Sequence, residues 1–398
     1  MEWYYWRKDG KIAMLRVAYL DHTARWSGGE VALYNLLTNM DSTVHPLVIL
    51  AEEGPLAEKL REKGIDVRVI LLKDKTRNRN RNKLDMHLFV SVLEFFQYGL
   101  KIGKLLKKEK VSCVHTNSLK SAIYGAIAAK SAMIPLVWHI RDNIAEPYLR
   151  PIIAKFIRIM AKLLPNGIIA NSKSTMSSLH LSEAQSVKTL VAYSSYNGPI
   201  GSMLGQSPNR KQFVILLVGR LDEWKGQHVL LDAAKRFKEQ PEVQFWLAGD
   251  ALFGNDGYKK RLQQFIEDHG LTNVMMLGHV EHIPSLLQQA DLLVHTSIMP
   301  EPFGQVIVEG MANGLPVIAS DLGGPREIVV PHVTGLLIQP GQPDLLSEAI
   351  QWMIDHPEER RHMGEMGMTR VREHFLIEST VKRITEFYPM VIREQKVQ

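Results

Sequence analysis

Two rounds of the same alternation run along this sequence: short apolar runs separated by amphipathic stretches of helical spacing. In the first round, residues 16–20, 46–51, 66–71, 112–115, 136–140 and 167–170 read as strands, with helices between them at 29–37, 55–63 and 120–132. The second round places strands at 213–218, 243–248, 274–277, 291–295, 316–319 and 335–338, and helices at 226–238, 258–269, 283–290, 305–312 and 343–356. Near-continuous apolar strands spaced by helices are covered on both faces and joined by crossovers, so each round predicts a parallel sheet. The rounds are separated at residues 198–210, GPIGSMLGQSPNR, a stretch of linker composition. The expected organisation is therefore α/β, with a first domain over 1–200, a second over 201–375, and a last helix over 376–398. At 398 residues the chain is long enough for both domains.

Composition excludes several classes. With 45% hydrophobic and 23% charged residues the chain is an ordinary globular protein. No apolar run reaches the roughly 18–20 residues of a membrane span. The opening stretch MEWYYWRKDGK lacks the apolar centre of an export signal and reads as a frayed leader. Cys113 is the only cysteine, which rules out an intramolecular disulfide. It sits in an apolar run and is expected in the core, and a cytoplasmic location is expected. The net charge of +6 suits an anionic substrate or an anionic membrane surface.

Chemistry concentrates in residues 296–327, TSIMPEPFGQVIVEGMANGLPVIASDLGGPRE. Glu301 lies at the mouth of a helix and Glu309 inside it, with Phe303-Gly304 forming the turn between them. Backbone N–H groups at Gly304 and Gln305, together with the helix dipole, favour an anion there. A carboxylate at Glu309 is suited to a ribose diol. Arg220 and Lys225, in Gly219–Gly226, follow the first strand of the second round, where a guanidinium fork and an ammonium can clamp a diphosphate. Ser27-Gly28-Gly29-Glu30 follows the first strand of the chain, and its glycines let the backbone approach a phosphate. His139 closes a first-domain strand and is expected to face a ligand. Read singly, each segment also has a structural reading: capping carboxylate, solvated cations, strand-to-helix turn or structural histidine. No Asp-x-Asp pair or His/Cys cluster of metal-ligand spacing is present, so neither a metal nor another cofactor is expected.

Basic amphipathic stretches mark the first domain. Residues 73–83, KDKTRNRNRNK, carry six cations and one anion, the pattern continues to Lys110, and residues 150–164 repeat it. Such helices can lie on anionic lipid. The run lacks the interleaved aromatics of a single-strand nucleic-acid binder, so no nucleic-acid partner is expected.

On these residues the chain resembles glycosyltransferase family 4. The most specific matches are E-P-F-G-Q-V-I-V-E at Glu301–Glu309, G-L-P-V-I-A and G-G-P-R-E after it, G-R-x-x-x-x-K-G at Gly219–Gly226 and G-G-x-E from Gly28. Asn171-Ser172, Asn197-Gly198 and Thr334-Gly335-Leu336-Leu337 add to them. The resemblance implies the GT-B fold, two Rossmann-like parallel-sheet domains facing a central cleft with the last helix packing back on the first, and retaining, metal-independent transfer from a nucleotide sugar, a UDP-sugar by expectation. The acceptor would be a polysaccharide, a glycolipid or other lipid-linked sugar, or a small molecule. It also implies roles: Arg220 and Lys225 on the diphosphate, Glu309 on the ribose, Glu301 on the sugar hydroxyls, Phe303, Gly304 and Gln305 around the donor, and Val280 beside the base. Gly28 and Gly29 would lie beneath the phosphates, and His139 by the reacting sugar. The chain departs from the family where Gly249-Asp250-Ala251-Leu252 replaces a more usual Gly-Asp/Glu-Gly-Pro, and where Gly310 follows Glu309. Two other readings remain at this level: another enzyme on the same fold, such as an epimerase or phosphorylase, and a lipid-bound scaffold without activity.

Overall fold

A computed structural model describes residues 14–77, 87–146, 148–182, 186–201, 212–251 and 256–393. The leader, most of the linker, the second half of the basic run and Leu252 lie outside these residues. The chain divides into two units, one of Met1–Ser194 with Ile377–Gln398, the other of Ser195–Leu376.

The first unit holds β1 (Leu15–Asp21), β2 (Val44–Leu50), β3 (Asp66–Val69), β4 (Cys113–Thr116), β5 (Leu136–Ile140), β6 (Gly167–Ala170) and β7 (Lys188–Val191). They pair in parallel in the order β3-β2-β1-β4-β5-β6-β7. The second unit holds β8 (Phe213–Val218), β9 (Val243–Ala248), β10 (Val274–Gly278), β11 (Leu292–His295), β12 (Val317–Ser320) and β13 (Gly335–Ile338), ordered β10-β9-β8-β11-β12-β13. Strands expected from the apolar runs have ends within two residues of those observed. β7 was not foreseen, because it is a half-exposed edge strand whose KTLV sequence carries little apolar signal. The helix expected over 226–238 is α-helical only at Gln227–Ala234 and tightens to a 3₁₀ turn at Lys235–Phe237.

Helices cover both faces of each sheet, so successive residues of one strand enter different cores. Leu20 and Trp138 join one cluster of the first unit, and Tyr19 and Val137 join the other. The last helix, Ile377–Arg393, belongs to this second cluster. Its Ile377, Val381, Ile384, Tyr388 and Val391 recur at helical spacing and are buried against β1 and its neighbours. Gly167 on β6 allows the approach: a Cβ there would stand 2.7 Å from Val391 Cγ2.

The strand order reverses between β1 and β4 in the first unit, and between β8 and β11 in the second. Sheets of this kind bind ligands outside the carboxyl ends of their strands at that reversal. The loops there are 22–29 and 117–118 in one unit, and 219–226 and 296–304 in the other.

Candidate active site

In the second unit, β8 runs through Gly219 and Arg220 into one 3₁₀ turn, Glu223–Lys225, while β11 ends at His295 and continues as Thr296-Ser297-Ile298. The two loops are bonded together. The Ile298 N–H donates to the Trp224 carbonyl at 2.8 Å, and the Thr296 hydroxyl to the Lys225 carbonyl at 2.9 Å. Gly226 closes the turn at φ +71°, and a Cβ there would lie 2.1 Å from the Thr296 carbonyl oxygen. Both the left-handed backbone and the lack of space demand glycine.

This junction aims Lys225 at Glu301, with 2.6 Å between Nζ and Oε2. The ammonium also lies 4.3 Å from the Trp224 ring centre. The same carboxylate oxygen takes the Ser297 hydroxyl at 3.1 Å and stands 3.4 Å from His295 Nε2. Burial alone would favour the neutral acid. The Lys225 charge and the His295 contact outweigh it and hold the Glu301 carboxyl well below the usual carboxylate range. The Gly323-Gly324 turn secures the Glu301 backbone, since the Gly324 N–H donates to the Glu301 carbonyl at 2.8 Å.

Beyond Glu301 the helix Gln305–Ala312 opens at Gly304, φ +107°, and no side chain caps its first turn. Its leading N–H groups and dipole make this end attractive to an anion. Glu309, one turn on, is half-buried. Burial pushes its carboxyl up to about 7, against a smaller opposing effect from Gln305. Arg220 turns its fork onto Asp222 at 3.2 Å rather than toward Glu301. Val280 is partly exposed two residues beyond β10, whose Gly278 carbonyl accepts the Gly249 N–H at 2.8 Å. Phe303 corrects the sequence expectation: its side chain is 2% exposed and packs edge-on to Phe375, so it is a core residue with only backbone to offer a ligand. Its aromatic character was legible, but the inward turn imposed by Gly304 and the Gly-Gly contact was not.

In the first unit, Gly28 and Gly29 open the helix Gly28–Thr38. A Cβ at Gly28 would meet nothing within 4 Å, and one at Gly29 only Arg141 Cδ at 3.8 Å. The packing of the chain itself thus requires glycine at neither position, and the loop stays open. Beneath it lies a buried polar cluster. Asp21, at the end of β1, accepts the His22 N–H and the Asn117 amide, each at 2.7 Å. Burial opposes its ionisation, but these bonds and the His22 ring keep the carboxyl below its ordinary range. Glu30 behaves oppositely: burial and the nearby Asp21 charge raise its carboxyl to about 8. Arg141 bridges to Asn117 Oδ1 at 2.7 Å and to Ser194 at 3.1 Å.

His139 is 2% exposed, a buried ring rather than an open one at the strand end. Its Nδ1 faces His115 Nε2 at 3.1 Å and Arg141 at 3.4 Å. Its Nε2 has no hydrogen-bond partner among the described residues. Asp21, Asn117, His115, His295 and Ser297 were not singled out from the sequence. Each is a polar residue at or just beyond the carboxyl end of a strand flanking a reversal point, a signal readable only once the strand order is known.

Two family models match, one to each part of the chain: "Glycosyltransferase Family 4" over residues 26–183 and "Glycosyl transferases group 1" over residues 205–370. The chain is 29% identical over 271 residues to an uncharacterized glycosyltransferase, MJ1178, of Methanocaldococcus jannaschii, covering 67% of this chain and 72% of that protein. It is 25% identical over 375 residues to an Escherichia coli UDP-Gal:alpha-D-GlcNAc-diphosphoundecaprenol alpha-1,3-galactosyltransferase, covering 89% and 91%. Among solved structures, Anabaena Alr3699/HepE in complex with UDP-glucose superposes with a TM-score of 0.78 at 27% identity, over 94% of this chain and all of that one (100%).

Proposed function

This chain belongs to glycosyltransferase family 4 and has the GT-B architecture of two Rossmann-like units, and from that premise we propose that it transfers a hexose from a UDP-sugar, with retention and without a metal ion, to a hydroxyl of a carbohydrate or lipid-linked acceptor. The observation that carries this reading is the Lys225–Glu301 pair beside an uncapped helix start, at the reversal point of the second sheet.

In the proposed reaction the bond between the anomeric carbon and the diphosphate oxygen breaks with its electrons going to the diphosphate. The acceptor oxygen bonds the same face of that carbon, and the acceptor proton passes to a phosphate oxygen. Arg220, Lys225 and the N–H groups at Gly304 and Gln305 hold the departing charge, the part of the work that preorganised dipoles and cations do best. Glu301, kept ionised by Lys225, accepts hydrogen bonds from the sugar hydroxyls. Glu309 takes the ribose diol, and the backbone near Val280 takes the base. In the first unit, Gly28 and Gly29 leave room for substrate, and the His139 Nε2 is reserved for a substrate oxygen. The UDP-glucose bound by HepE and the UDP-Gal donor of the E. coli relative support a uridine nucleotide. Incubation with UDP-, GDP- and ADP-sugars, with and without EDTA, tests the reading. UDP release insensitive to chelation, with an unchanged anomeric configuration in the product, is expected, and no turnover with any donor would reject it.

Glu309 makes donor binding pH-dependent. The ionised carboxylate accepts from the diol, so binding strengthens as pH rises through about 7. Affinity for a UDP-sugar, whose diphosphate does not titrate in this range, should rise about tenfold from pH 6 to 8. Calorimetric titration at both values checks this, and Glu309→Gln should remove the step. The sign for stability is opposite: the native state retains a proton that the unfolded chain releases above the ordinary carboxyl range, so this group costs stability as pH rises toward 7.

We also propose an anionic membrane surface as a partner. On the helix Pro151–Leu163, Ile152, Phe156, Ile159 and Leu163 line one face and are exposed, with Lys155 and Lys162 alongside. On the helix His87–Lys108, Val92, Leu93 and Phe96 are exposed as well. No helix among the described residues is long and apolar enough to cross a membrane. The protein should sediment with vesicles containing phosphatidylglycerol and not with pure phosphatidylcholine, and Phe156→Glu should weaken the association about tenfold or more.

A further inference from the structure

We propose that His115 and Tyr388 are positioning residues that, together with Arg141, hold His139 as a single tautomer, with its proton on Nε2 and directed to substrate. The proposal rests on the reading of His139 as a substrate-contacting group, and deepens it.

The hydrogen-bond directions follow one from another. A guanidinium has only donors. Arg141 is held in place by Asn117 and Ser194, so the Nδ1 of His139, 3.4 Å from it, must accept. His115 Nε2, 3.1 Å from the same Nδ1, must then donate. That leaves His115 Nδ1 as an acceptor, and the Tyr388 hydroxyl 2.8 Å away as its donor. The Tyr388 oxygen is in turn free to accept from the Tyr19 hydroxyl, also at 2.8 Å. The chain runs Tyr19 to Tyr388 to His115 to His139, and all four side chains are buried.

Its end is the Nε2–H of His139, buried and unpartnered among the described residues. An unmade buried hydrogen bond costs about 1–3 kcal/mol, so folded proteins rarely keep one without use. Burial and the Arg141 charge also keep both rings neutral, with His115 lowered to about 3 and His139 well below its ordinary value. A neutral ring with a defined N–H can donate to a hydroxyl or phosphate oxygen without adding a charge. In the other tautomer the same atom would present a lone pair, which repels a phosphate oxygen and reverses the bond to a hydroxyl.

Tyr388 lies on the last helix, Ile377–Arg393, which the chain reaches only after traversing the second unit. The C-terminal segment thus completes the hydrogen-bond set of His115, 273 positions earlier in sequence. That contact gives the return of the helix to the first unit a chemical role besides burial of apolar surface.

Nitrogen-15 NMR of the histidine rings in the ligand-free protein at neutral pH tests the proposal directly. His139 and His115 should both show the neutral form protonated at Nε2. Tyr388→Phe keeps the buried ring, and should leave His115 in mixed tautomers and lower kcat about tenfold, the rate equivalent of one lost hydrogen bond. Tyr19→Phe, one step further out, should act in the same direction and less. A His139 protonated at Nδ1 in the wild type would overturn the proposal. So would a Tyr388→Phe protein in which both rings keep the single tautomers of the wild type, or in which kcat is unchanged. The ring spectra require no substrate: if the wild type transfers no sugar, the functional reading fails while the tautomer result still decides the wiring.

Discussion

Glu301→Ala is expected to lower kcat/KM for the sugar donor by about 10²–10³-fold while leaving a folded protein, as when a preorganised contact to the reacting group is removed. In the proposed reaction the carboxylate has two tasks: it would contact the sugar, and it holds Lys225, 2.6 Å away, where the departing diphosphate would need a cation. Its loss frees the lysine from its tether and removes the sugar contact at once. Lys225→Ala should therefore cost about as much, since it leaves a part-buried carboxylate without its counter-ion and raises the Glu301 carboxyl toward protonation. The double variant should lose much less than the sum, because the two groups act as a unit. Steady-state kinetics on the four proteins of this cycle, with circular dichroism to establish folding, checks the claim. Additive losses would mean that the two groups contribute independently and do not act in turnover as the pair the structure shows.

Gly226→Ala is expected to be the more damaging change to the molecule itself. The new methyl would collide with the Thr296 carbonyl, 2.1 Å from the Cβ position, and would force a left-handed backbone on alanine. Relief requires the 224–226 turn to part from 296–298, breaking the hydrogen bonds that aim Lys225. Backbone strain and overpacking together should cost about 2–4 kcal/mol of stability. Denaturant melts would show this, and donor affinity should fall with it. Gly28→Ala is the contrast. Nothing lies within 4 Å of that site, so stability should hold. Here one glycine serves the fold and the other leaves space.

The difference between those glycines was not visible in the sequence, where Gly28 read as a phosphate-loop residue and Gly226 only as the end of the stretch that carries Arg220 and Lys225. The glutamate motif was more informative. Glu301, Gly304 and Glu309 occupy the helix mouth and interior that their spacing implied, because positions along one helix are a local property. Phe303 lies in the same motif, and its side chain went to the core because Gly324 packs against its backbone from 21 residues away, by sequence count. The strand and helix boundaries were largely legible, since apolar periodicity reports local burial. β7 was not, because an edge strand buries too little to leave that pattern.

By itself, then, the amino-acid order determined two parallel α/β units, their elements, and the acidic and basic residues placed at strand ends. These follow from side-chain periodicity and turn chemistry, which act over a few residues. Only the tertiary structure decided which strand ends meet. The crossovers put β8 beside β11, which brought Lys225 to a glutamate 76 positions away, and the return of the last helix joined Tyr388 to a histidine 273 positions earlier. Contacts at such separations depend on strand order and on the path of the chain, and neither leaves a trace in local periodicity.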